Sequence, residues 1–301
     1  MPRWANGNSV NVVLLGGVAF VAALQLHLLP LSGQMPAMTI VLLAALTAPL
    51  HYGLMHETMH GHLFGHEPTD RAIGRALGIV LGLPWETMRF GHLAHHSMNR
   101  HTFDRPEVLE PDRARLPATG VYYFKLIVGH AVSYALMPLP ALFPVSTTGR
   151  VLGLMGSGPG VDQLRNRALV TFTNPKRRNA IRFDIAAIFA LFGFAFWAWG
   201  ASWPVFAGCV VARWSVLSLL DNAPHYGMPL ESGLDARNTS LPAVARLLVM
   251  NGNYHGTHHR NPQLRWHELP RAFEHSGALP EGNWLAAVAR QFRGLVILES
   301  P

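Results

Sequence analysis

The sequence predicts an all-α integral-membrane fold: four transmembrane helices in two hairpins, with a helical cap on one face that carries clustered histidines. Three observations carry this expectation. Half of the 301 residues are hydrophobic and only 14% are charged, against about 25% charged in an ordinary soluble domain. The apolar residues gather into a few runs of spanning length. The histidines, 17 in all, fall mostly into short clusters beside those runs.

The first run, residues 10–29, has no Asp, Glu, Lys or Arg and is long enough to span. No convincing cleavage signal follows it, so it is read as a retained helix. The second run covers 35–55, with Pro36 near its start and Pro49 near its end; only a tight uncharged turn separates the two. The third and fourth runs, 185–200 and 203–220, are joined by Ala201-Ser202. A fifth apolar stretch, 121–143, contains Lys125, His130, Pro138 and Pro140, which argue against one continuous helix. Seven arginines lie between Arg71 and Arg115, and seven basic residues between Arg150 and Arg182. A spanning 121–143 would force one of these groups to the outer side, against the positive-inside tendency. This stretch is therefore expected to be interfacial or re-entrant. Residues 1–301 read as one membrane domain, with a mobile loop expected at 147–159.

The formal charge of +7 comes almost wholly from arginine. In a chain with apolar spans it indicates loops on the cytoplasmic side and an anionic membrane surface, with no nucleic-acid partner. Cys209 is the only cysteine, which excludes an intramolecular disulfide and any cysteine-based zinc or iron–sulfur site.

Three histidine clusters stand out: His56-Glu57-Thr58-Met59-His60, His92-Leu93-Ala94-His95-His96 and His255-Gly256-Thr257-His258-His259. Spacings of three and four bring two imidazoles to one helical face, within reach of one metal. The segment Asp221–His225 adds a further i,i+4 pair. With His225 the clustered histidines number nine, more than one metal can take, so two metals are expected. Imidazole suits iron, copper, nickel and zinc. A closed structural zinc site usually has four ligands and often cysteine, so two redox-active irons with open positions fit better. The scattered His27, His51, His66, His130, His267 and His275 read as structural.

In this order the HxxxH, HxxHH and HxxHH clusters resemble the histidine boxes of the membrane fatty acid desaturase and hydroxylase superfamily, over roughly residues 51–270. Asn253–Pro262, followed by Leu269-Pro270, is similar to the third box of acyl-lipid desaturases, and Arg89–Pro106 resembles their second-box region. The resemblance implies four spanning helices with cytoplasmic boxes, and it maps the family's extra histidine onto His225. Acyl-CoA desaturases carry Asn four residues before that histidine; here Asp221 holds the position and Asn222 is one residue off.

His62 and His101 read as supports of the nearby boxes rather than ligands. Glu57 is expected on the helix surface, off the His56/His60 face. Arg213, a charge inside a span, is expected to pair with a carboxylate lining the inner cavity. Trp197, Trp199, Trp203 and Trp214 read mostly as an outer aromatic belt.

No side chain removes hydrogen from an unactivated methylene, so metal and O2 must supply the oxidant. Electrons must come from an external donor, ferredoxin-like or similar, on the basic face. The expected activity is O2-dependent oxidation of a lipid C–H bond, with acyl-lipid desaturation first. Hydroxylation or ketolation of an acyl chain, sphingoid base or carotenoid is the alternative. A metal transporter ranks lower, because its ligands would sit at the bilayer midplane on broken helices. The expected location is a bacterial inner membrane.

Overall fold

The computed structural model describes residues 7–33, 35–111, 113–156, 159–230 and 236–297, in which the elements are helices and three isolated β-bridges. Helix α1 (Gly7–Ala23) continues through a π-turn at Leu24–Leu28, and α2 covers Ala37–His60. Asn8–His27 and Ala37–His60 are each long and apolar enough to cross a membrane. A third apolar stretch, Pro175–Asn222, has 48 residues. A straight helix of that length would reach about 72 Å, over twice a hydrocarbon core of about 30 Å. It folds back instead. Its two helices, α9 (Pro175–Trp199) and α10 (Trp203–Asn222), meet at Gly200, whose φ of 50° and ψ of −126° are open to glycine. The Phe206 ring lies 5.7 Å from Phe192 and 5.1 Å from Phe196, contacts that require antiparallel packing. The spans thus form two hairpins. Val13, Leu46, Phe189 and Trp197 remain largely exposed on them, as lipid-facing side chains should.

Between the hairpins, α3 (Glu67–Leu81) and α4 (Trp85–Met98) form a third hairpin with its tip at Gly82–Pro84. Leu81, Leu83 and Trp85 at the tip are buried with Leu54, Met55, Met59 and Met88 in one core. A helix end at this depth has carbonyls that water cannot reach. Two side chains of the spans satisfy the last two of them, and a third bonds the turn before. His51 Nε2 bonds Leu77 O at 2.8 Å, Arg213 Nη2 donates to Val80 O at 2.6 Å and Trp214 Nε1 to Leu81 O at 3.1 Å. Arg213 therefore caps a helix C-terminus, where a cation also meets the negative end of the helix dipole. It also donates to Gln25 Oε1 at 3.4 Å, and no carboxylate pairs with it among the described residues. The expected carboxylate pairing is replaced by this cap. The aromatic belt is likewise reduced to Trp197 and Trp203, since Trp199 is buried and donates to Gln25 O.

The stretch at 121–143 is broken, as expected, but earlier than its prolines. Helix α5 (Arg115–Phe124) leads through a π-turn, Lys125–Gly129, into α6 (His130–Leu136). Its two arms, Arg115–Gly129 and Ala131–Ala141, are bent by 71°. The loop expected at 147–159 is helical at its start, in α7 (Val145–Gly153), where the Thr147 and Thr148 hydroxyls bond back to Pro144 O. Residues 157 and 158 lie outside the described residues. Helix α8 (Pro159–Thr173) then leads into α9.

Candidate metal centre

Helix α2 ends on His56 and His60, and Gly61 closes it with φ of 74°. Helix α4 carries His92, His95 and His96, and a short helix α11 (Ala243–Leu248) precedes α12 (His255–Arg260) with the third box. His225 lies just beyond α10. The nine imidazoles converge into two groups: His56, His60, His92, His96 and His258 form one, and His95, His225, His255 and His259 the other. Within each group the potential ligand atoms lie within 4.8 Å of one another. The i,i+4 pairs stay together, because four residues is nearly one helical turn. The i,i+3 partners separate: His95 leaves His92 and His258 leaves His255. Each HxxHH box thus serves both groups, and these touch through the His96 and His259 rings, 4.4 Å apart and stacked.

The donor spacing fits metals. In the first group, Nε2 of His92 lies 2.8 Å from that of His60 and 3.0 Å from that of His96, which is 3.0 Å from that of His258. In the second, Nε2 of His225 lies 3.1 Å from that of His95 and 3.0 Å from that of His255, and His255 and His259 are 3.1 Å apart. One neutral imidazole has one N–H, so such chains of facing nitrogens cannot all be hydrogen bonds. With metal–nitrogen bonds of about 2.1 Å, ligands at right angles lie about 3.0 Å apart and tetrahedral ones about 3.4 Å. The spacings are those of nitrogens close enough to share one metal. His56 Nε2 is buried without a hydrogen-bond partner among the described residues, as a waiting donor would be.

Electrostatics favour the neutral, ligating form at most positions. Burial, then His56 and other neighbouring imidazoles, push His92 and His258 well below the usual histidine range, and His96 down to about 3. Burial and the surrounding histidines do the same for His255 and His259. His95 is the exception. Burial opposes its charge, but the Asp104 carboxylate outweighs burial and raises it to about 9. Asp104 Oδ2 sits 2.6 Å from His95 Nδ1 and so fixes that ring with Nε2 toward the second group.

The remaining predicted residues divide. His62 stacks on His60 at 5.7 Å, next to the first group. His101 is exposed, stacks on Phe103 and belongs to neither group. Asp221 accepts from Tyr52 Oη at 3.4 Å, whereas Asn222 donates to Gln291 Oε1 at 2.7 Å. Glu57 is buried, not on the surface: Oε2 accepts from Trp266 N at 3.2 Å, and Oε1 lies 3.7 Å from His56 Nδ1. Sequence reasoning missed Asp104, whose signal is only its place in a loop behind box two. It also missed Asn238, whose Oδ1 accepts from Thr257 N and Oγ1 and anchors box three. Gly256 in that box has no room for a side chain, since a Cβ would lie 2.1 Å from Ala236 O.

Two cavities reach the histidines, and His92 and Asp221 border both. One of about 90 Å³ lies between α2 and the third-box region, lined by Pro49, Gly53, Leu220, Val249 and Met250 together with Glu57, His56, His255 and His258. The other, about 190 Å³, lies against the bent segment and mixes Lys125, Ser133 and Tyr134 with His95 and His225.

Spanning hairpins joined to two imidazole groups able to hold metal define a multi-pass membrane protein with a histidine-built metal site. The sequence profile of the family described as fatty acid desaturase matches residues 33–287, and the chain belongs to that family, one of membrane di-iron oxidoreductases. No curated protein and no solved structure matches the chain.

Proposed function

We propose that the chain desaturates an acyl lipid, using O2, two irons held by the nine histidines, and electrons from an external ferredoxin-like carrier. The observation that carries this reading is the cavity in which Pro49, Leu220, Val249, Met250 and Leu269 line the same space as His56, His255 and His258. Apolar walls beside the histidines suit a methylene chain, and a bound chain would keep solvent from the oxidant. When bound, the irons and O2 supply the oxidising power that no side chain has.

The protein's part is to hold and position. His56, His60, His92, His96 and His258 serve one metal, and His95, His225, His255 and His259 the other. Asp104 keeps the proton on His95 Nδ1, which leaves Nε2 as the donor. Tyr52 holds Asp221 between the two cavities. The arginine-rich box side is the expected cytoplasmic face and the docking side for the carrier.

Lipid and carotenoid profiles of cells with and without the gene product test this reading. A new double bond in the acyl pool is expected. A new hydroxyl or keto group would move the reading to hydroxylation or ketolation. No product in either pool, from a protein that carries its metals, would end both.

A further inference from the structure

We infer that a hollow between α4, α8 and the start of α9 binds the phosphate of an anionic phospholipid headgroup. Glu86, Phe90 and Leu93 recur at helical spacing on one side of α4, and Arg89, seven residues before His96 and so nearly in line with it, forms the edge nearest the histidines. With Arg167, Thr171 and Arg177 they enclose about 170 Å³.

The hollow has an unbalanced charge. Its one carboxylate, Glu86, already takes Arg71 Nη1 at 2.7 Å. None of Arg89, Arg167 and Arg177 forms an ion pair among the described residues. Their neutral contacts leave donors over. Arg89 Nε donates to Met59 O at 3.0 Å, Arg177 Nη1 reaches Thr171 Oγ1 at 3.4 Å and Arg167 Nη1 bonds the Ser97 hydroxyl. Three guanidinium forks around one small concavity match the several acceptor oxygens of a phosphate.

Position identifies the source. Arg177 lies in the first turn of α9, where the apolar stretch Pro175–Asn222 begins. Val170 and Phe183, on either side of it in the chain, are 69% and 62% exposed. Phospholipid phosphates sit at the level where a span leaves the hydrocarbon, and acyl chains would cover such apolar side chains. Basic pockets of this kind between helices hold anionic headgroups. A docking protein, by contrast, needs a broad contact surface rather than a recess for one anion.

The test reads binding, not turnover, so it stands apart from the desaturase proposal. The full-length protein in neutral detergent is titrated with dihexanoyl phosphatidylglycerol, dihexanoyl phosphatidylcholine and inorganic phosphate, with bound ligand read by native mass spectrometry. Saturable binding of phosphatidylglycerol in preference to the other two is expected. Arg167→Gln should weaken it about tenfold and Arg167→Gln/Arg177→Gln further, whereas Arg167→Lys should retain part of it. Should the double variant fail to fold, the exposed Arg167 alone decides. Equal binding of both lipids, or affinity unchanged in Arg167→Gln, overturns the site. Inorganic phosphate bound as tightly as the lipid overturns the membrane source. Lipid binding intact in variants that no longer bind an acidic electron carrier would make the hollow a carrier dock and overturn the inference.

Discussion

Asp104 Oδ2 holds His95 Nδ1 at 2.6 Å, and the opposite nitrogen of the same ring lies 3.1 Å from His225 Nε2. One carboxylate therefore controls a donor of one group only. Asp104→Asn should weaken metal binding at the four-histidine group by about 10–100-fold and spare the five-histidine group. Metal per polypeptide, measured across a chelator titration, should fall from two sites toward one.

The same pair couples metal to protons. With His95 raised to about 9, the metal-free protein carries a proton there at pH 7.5 that must leave Nε2 when metal binds. Calorimetry in buffers of different ionisation enthalpy should detect about one proton released, and Asp104→Asn should remove most of that release.

Metal-free stability should depend on pH in two directions. His92, His255, His258 and His259 are depressed, and His96 lies at about 3, so the unfolded chain takes up more protons below about 6.5 and stability falls with acid. His95 acts oppositely: its contribution is complete below about 6.5 and is lost as pH rises through about 9. Melting temperatures of stripped protein should therefore drop at pH 5, and Asp104→Asn should flatten the alkaline arm.

Gly256→Ala should damage the centre without touching a histidine. Its Cβ would meet a backbone carbonyl, Ala236 O, at 2.1 Å, so the turn carrying His255 and His258 must shift, at a cost of about 1–3 kcal/mol. Reduced metal content at a moderately lowered melting temperature is expected.

Two neighbouring histidines should behave oppositely. His96→Ala removes a donor that lies 3.0 Å from both His92 and His258 and should abolish metal at the five-histidine group. His101→Ala removes an exposed ring stacked on Phe103 and should leave metal content and activity unchanged. Elemental analysis of the two variants side by side checks this.

The spans and boxes were legible because each has a local signal: apolar length for one, helical spacing for the other. The allocation of histidines to the two groups was not. Whether His95 joins His92 or His225 depends on how α4 is rotated against α10 and α12, which no single segment encodes. Glu57 was misread for a related reason. It does leave the His56/His60 face, but the residues around Trp266, distant in sequence, cover the side it turns to. Arg213 was recognised as an unusual charge, yet its partner is a backbone carbonyl, and carbonyls carry no side-chain signature.

The cap on α3 also sets an order of assembly. The carbonyls of Val80 and Leu81 need Arg213 and Trp214, made more than 130 residues later. During synthesis the α3–α4 hairpin therefore cannot seat fully before α10 has been threaded into the bilayer. Box two rides on α4, so its final seating, and with it the closing of the histidine groups, follows the threading of α10.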